Sequence, residues 1–115
     1  MIDGLIAGRL MGDASRRVDK AGRTYIVARM LARSKADEEF IVNVIAFDDA
    51  PCAALLALQD GEALTIAGPL TPKVWTDKQG NTRPSLDLIA AQVMTAYHVD
   101  HKREAMDSGR DAGSR

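Results

Sequence analysis

Phe40-Ile41-Val42-Asn43-Val44-Ile45-Ala46-Phe47, followed by Asp48-Asp49-Ala50-Pro51, is the stretch on which the fold turns. Four of its first eight residues are β-branched, at Ile41, Val42, Val44 and Ile45, so the run reads as a buried strand. An acidic pair before an early proline then reads as a helix start, because carboxylates suit the free N–H groups there and proline lacks the N–H that would go unpaired. The alanine- and leucine-rich run Cys52 to Gln59 supplies the helix, and Gly61 its C-cap.

Working outward, Ile2 to Met11 reads as a first strand and the polar, basic stretch Gly12 to Gly22 as a loop or wide hairpin connection. Arg23 to Arg33 reads as a second strand with unlike faces. Ile26, Ala28, Met30 and Ala32 are wholly apolar, while Tyr25, Val27, Arg29, Leu31 and Arg33 mix aromatic, apolar and cationic groups. Ser34 to Glu39 is a charged turn. Beyond the helix, Glu62 to Leu70 reads as a fourth strand ended by Pro69 and Pro72. Ser85 to Val99 reads as a fifth, with a bend near Ala90-Ala91. From Asp100 to Arg115 no apolar periodicity remains, and the segment reads as a disordered tail behind a domain spanning residues 1–99.

Five strands with one helix between the third and fourth describe an all-β Greek-key barrel, the oligonucleotide-binding (OB) fold. Such barrels bind single strands on an open face bounded by the loops joining strands one to two and four to five. Here those loops are Gly12 to Gly22 and Thr71 to Pro84, both basic. The second holds Trp75, the single tryptophan, with Lys73, Lys78 and Arg83 around it. An aromatic ring among cations suits stacking on an unpaired base beside a phosphate; a ring capping a small core is the alternative.

A net charge of −1 conceals strong segregation. Arg9, Arg16, Arg17, Lys20, Arg23, Arg29, Arg33 and Lys35 face only Asp13 and Asp19 within their segment, whereas Asp37 to Glu62 contains no basic residue. One cysteine excludes an internal disulfide and fits a reducing cytoplasm. Neither a signal peptide nor a run of transmembrane length is present, so a cytoplasmic, nucleoid-associated protein without membrane contact is expected.

Enzymatic motifs are missing: there is no phosphate-binding glycine loop and no nucleophile triad in context. Cys52 reads as a small core residue, and Asp48 and Asp49 as capping residues. His98, Asp100 and His101 do not have the spacing of a known metal site. No catalytic residue, cofactor or metal is expected.

The chain resembles the bacterial single-stranded DNA-binding protein family over Ile2 to Val99. The resemblance rests on Ile6-Ala7-Gly8-Arg9-Leu10, Gly22-Arg23-Thr24-Tyr25-Ile26-Val27-Ala28 and Val44-Ile45-Ala46-Phe47. It continues through Leu58-Gln59-Asp60-Gly61, Ala67-Gly68-Pro69-Leu70 and Trp75-Thr76-Asp77-Lys78-Gln79-Gly80. It implies sequence-nonspecific binding of single-stranded DNA, RNA being open, in replication, recombination or repair. Trp75 and Phe47 would stack on bases, with Tyr25 or Phe40 beside them. Arg29, Arg33, Lys73, Lys78 and Arg83 would meet phosphates, and Arg9, Arg16, Arg17 and Arg23 would extend the track.

Period two puts Ile41, Asn43 and Ile45 on the face of Phe47, with Phe40 one step off; an extra residue in the bend before the helix would reverse this. The resemblance also implies a homo-oligomer, dimer or tetramer, for which Leu5, Ile6 and Leu10 are suitable. Two features depart from the family. The aromatic platform is thinner, and Ser108 to Arg115 lacks the acidic-hydrophobic tip through which such proteins recruit repair enzymes. A primosomal replication-restart accessory protein, or a protein-interaction module on the same fold, fits the pattern as well.

Overall fold

The strand that closes the structure is the first. In a computed structural model, which describes residues 2–95, β1 spans Ile2–Val18 and pairs with two different strands in succession. Ile2 to Arg9 run antiparallel to β4 (Ala63–Thr76), and Arg9 to Val18 run antiparallel to β2 (Thr24–Arg33). β3 (Glu39–Ala46) follows β2 in the sheet, β5 (Thr82–Ile89) lies parallel to β3, and β4 completes the ring. Helix α1 (Asp49–Leu56) stands between β3 and β4 in sequence. This is the OB-fold barrel.

The inner face is built by alternation. Leu10, Ile26, Met30, Val42, Ile66 and Leu88 are fully buried, and α1 adds Leu55 to the same core. At about 1.5–3 kcal/mol per buried aliphatic side chain, this set supplies the principal cohesion. Among the described residues, no helix is long and apolar enough to cross a membrane.

Several element boundaries differ from expectation. Gly12 to Gly22 is a hairpin connection only at its end: β1 continues through Val18, and the turn into β2 spans Asp19 to Arg23. Gly12, at φ +71°, opens a bulge in which three β1 residues, Gly12 to Ala14, stand opposite Ala28, and pairing resumes at Ser15. Two aspartates brace it: Gly12 N donates to Asp60 Oδ1 at 2.6 Å, and Asp60 N donates to Asp13 Oδ1 at 3.1 Å. Nor do Pro69 and Pro72 end β4, which runs to Thr76. Past Leu70 it pairs, among the described residues, with β5 alone, so Pro72 stands where one edge is free; Pro69 pairs with Asp3 of β1 and falls on its other side between the β6 and β5 registers, where the ladder is interrupted. Pro84 sits on the same two-stranded arm, opposite Val74.

The helix ends at Leu56 with Ala57 as its C-cap, not at Gly61. Gly61 lies in the following turn at φ +86° and donates its N–H to Leu10 O. Asp48 is the N-cap residue through its backbone, whose carbonyl accepts from Cys52 N; its side chain makes no capping bond. The expected bend at Ala90-Ala91 is a full break. The last strand divides into β5 and β6 (Gln92–Thr95), both paired with β4. The tail from Asp100, and His98, Asp100 and His101, lie outside the described residues.

Two glycines make the ring possible. A Cβ on Gly8 would strike Leu31 O, and one on Gly68 would strike Ile89 O, at the point where the last strand breaks. Both obstacles are backbone, which cannot swing aside. Gly68→Ala is therefore expected to cost about 1–3 kcal/mol, read as a lower urea midpoint at unchanged m-value. Wild-type stability in that variant would show that the approach at Gly68 is not limiting.

Candidate nucleic-acid interface

Across the outer face of the barrel, register partners line up in rows. Trp75 is level with Arg83 on the arm. Next come Lys73, Ser85 and Ile41, and then Thr71, Asp87, Asn43, Arg29 and Met11. Ile89, Ile45, Val27 and Ser15 form a further row, and Arg17 and Tyr25 the last. Phe47 follows β3 directly and lies beside Tyr25, with ring centroids 6.1 Å apart. These rows enclose an open groove of about 970 Å³. Trp75 walls it on the arm, and the Tyr25–Phe47 pair stands beyond its opposite end. From Glu39 to Phe47 the span is roughly 26 Å at the ~3.3 Å rise of a strand, which accommodates several nucleotides.

The expected site residues divide sharply. Trp75, Lys73, Arg29 and Arg17 line the groove. Trp75 is 39% exposed and Phe47 54%, so both rings are partly open to solvent. Ile41, Asn43, Ile45 and Phe47 share the outer face, as period two requires, while Val42, Val44 and Ala46 are buried. Phe40 stands on the other side of β3, paired with Ala32, which packs against the core. The consecutive arginines also part company: Arg17 pairs with Tyr25 on the groove side, whereas Arg16 pairs with inward-facing Ile26.

Most of the other expected cations are already engaged. Arg9 Nη1 donates to Gly61 O at 3.0 Å. Arg33 holds Glu39 at 3.0 Å and Asp37 at 3.7 Å. Arg23 Nε meets Asp19 at 3.3 Å, and Arg83 Nε meets Asp77 at the same distance. Lys73 is bound to Asp87. Arg17, Arg29 and Lys78 have no carboxylate partner among the described residues. The acidic block divides between the β2–β3 turn with Glu39 at the start of β3, the start of α1 and the α1–β4 connection. None of it lines the groove, whose acids are Asp13 and Asp87.

Sequence reasoning passed over a device shared by three hairpin turns among the described residues. In Asp19-Lys20-Ala21-Gly22-Arg23, the Asp19 N–H donates to Arg23 O at 2.9 Å and Gly22 N–H to Asp19 O at 3.1 Å. Asp77-Lys78-Gln79-Gly80-Asn81 and Ser34-Lys35-Ala36-Asp37-Glu38 repeat the same pair of bonds. The fourth position takes positive φ each time, in Gly22, Gly80 and Asp37, as the bulged three-residue hairpin loop demands. Each turn carries a lysine at its second position. The signal in the sequence is the recurrence of Asp-Lys-x-Gly-x-Thr at Asp19 and Asp77, which makes Lys20 a counterpart of Lys78.

Asp77 organises the arm's tip. Its Oδ1 accepts from Gln79 N and Asn81 N at 2.9 Å each, and its Oδ2 from Arg83 Nε. The Asn81 amide bond, outweighing partial desolvation and aided by Arg83 and Gln79, holds this carboxyl below the usual carboxylate range. Cys52, by contrast, packs against the core and donates its thiol to Ala46 O at 3.2 Å; burial pushes that thiol up, away from reactivity.

No protein-family model and no curated protein matches the chain. Solved structures do. A small single-stranded DNA-binding protein from Streptomyces coelicolor superposes at a TM-score of 0.64 with 17% identity, over 82% of this chain and 93% of that one. The mitochondrial single-stranded DNA-binding protein of S. cerevisiae gives 0.62 at 12% identity, over 83% and 94%. The Plasmodium falciparum protein of this kind, in complex with single-stranded DNA, gives 0.60 at 10%, over 83% and 94%. At such identities the likeness establishes a shared fold.

A carboxyl whose folded pKa is depressed stabilises above its unfolded value, near ~3.9, and that contribution is lost as pH falls through the folded value. The Gln79 and Asn81 amides are therefore expected to stay protected from hydrogen exchange at pH 5 and to lose protection in acid below the usual carboxylate range. In Asp77→Asn, protection should be weak throughout. Protection independent of pH in the native chain would show that the carboxylate does not order the tip.

Proposed function

We propose that this chain binds single-stranded DNA without strong sequence preference, in the groove between the Trp75 arm and the Tyr25–Phe47 pair. One observation carries the reading. Partly exposed aromatic rings, Trp75 in the wall and Phe47 beyond the opposite end, flank an open groove whose walls hold two arginines, Arg17 and Arg29, with no carboxylate partner among the described residues. Bases can stack on any π-face, and unpaired cations release counterions when they meet phosphates. The fold's likeness to proteins named for single-stranded DNA binding supports the same reading. In a cell this activity would serve replication, recombination or repair.

A homo-oligomer, dimer or tetramer, is part of the proposal. Leu5 is 73% exposed on β1, and Leu5 and Met94 border a second, apolar depression of about 330 Å³ beside α1. A second copy covering this side would remove that apolar surface from water.

Anisotropy of a dye-labelled oligothymidylate tests the reading. Binding should weaken as salt rises, and duplex of the same length should bind far less well. Arg17→Ala with Arg29→Ala should flatten the plot of log affinity against log salt by about 1.4, at ~0.7 per lost phosphate contact on a single strand. Equal affinity for duplex, or an unchanged slope in the double variant, would refute the assignment.

A further inference from the structure

The floor of the groove carries a negative charge where a polyanion would meet it. Asp87 lies in the central row between Asn43 and Thr71. Its Oδ2 accepts from Lys73 Nζ and its Oδ1 from Asn43 Nδ2 at 3.2 Å, so both oxygens are engaged by groove-lining side chains. Lys73 on β4 pairs with Ser85, two residues along β5 from Asp87, so the two side chains are diagonal neighbours on one face and the lysine can reach across the ladder. The Lys73 bond, with help from Asn43, holds the Asp87 carboxyl below its ordinary range despite partial burial, so it is ionised wherever the protein is folded at neutral pH.

A lysine neutralised in this way differs from Arg17 and Arg29. For a phosphate to take Lys73, the carboxylate must give it up and then remain close to the incoming anion. A carboxylate so placed would oppose binding from the centre of the site.

We propose that Asp87 is an internal counter-anion, which holds Lys73 in the free protein and competes with the phosphate backbone for it, thereby setting the affinity and salt dependence of the groove. The inference rests on the single-stranded DNA reading above and adds a regulating residue to that site. The rival arrangement, in which Asp87 orients Lys73 towards a phosphate, predicts the opposite sign on its removal.

The test is a titration of dye-labelled oligothymidylate over a range of salt concentrations, with the native chain, Asp87→Asn, Lys73→Gln and the double variant. Asp87→Asn should bind about two- to fivefold tighter at low salt, with a slope steeper by about 0.7. Lys73→Gln should bind more weakly than the native chain. The double variant, with the groove's net charge restored, should return to within about twofold of native affinity. Should Asp87→Asn fail to fold, the double variant decides: a return to native affinity supports the inference, and a tenfold loss overturns it, because Lys73 would then hold a phosphate in the native protein. Native binding with Asp87→Asn no tighter overturns this inference alone. No binding by the native chain overturns it together with the function on which it rests.

Discussion

The structure depends on β1 serving two neighbours. Its first half completes the ring against β4 and its second half against β2, so a single strand removes both edges that an open sheet would expose. The exchange requires backbones to approach more closely than a side chain allows, which is why Gly8 meets the Leu31 carbonyl and Gly68 the Ile89 carbonyl. The same closure fixes the site. With the barrel shut, alternation in β2, β3 and β5 sends one set of side chains to the core and leaves Arg29, Asn43, Ile45 and Asp87 on a continuous outer floor. The arm then rises from that floor because β4 and β5 outrun their other partners.

Electrostatics in the groove is a matter of which cations are still available. Counting Lys and Arg along the chain overstates the cations without a partner, since Arg9, Arg23, Arg33 and Arg83 serve turns and connections. Exposed pairs of this kind contribute little stability, so they can exchange partners when a polyanion arrives. Arg17 and Arg29 need no such exchange.

Much of this architecture was legible in the sequence, for physical reasons that differ from element to element. β3 could be read because four β-branched residues in eight favour a strand, and period two placed Ile41, Asn43, Ile45 and Phe47 together. The connection from β1 to β2 reads from sequence as beginning at Gly12 instead of Asp19, because a glycine that opens a bulge looks the same as one that ends a strand. Pro69 and Pro72 misled because tolerance of proline depends on where a strand lacks a partner, beyond Leu70 for Pro72 and at the β5–β6 break for Pro69, a property of the ring and not of the local sequence. Arg16 and Arg17 could not be separated before the bulge set the register. Asp87 was missed since an acid within an apolar strand carries no sign of the lysine waiting across the ladder.

The central claim is that bases lie in the groove against Trp75. Because there is a single tryptophan, its intrinsic fluorescence reports on one place. Titration with a long oligothymidylate at low and high salt is the most direct measurement. The account predicts strong quenching at low salt that recedes as salt is raised. Binding detected by another probe with Trp75 emission unchanged would contradict it, and would move the nucleic acid off the arm.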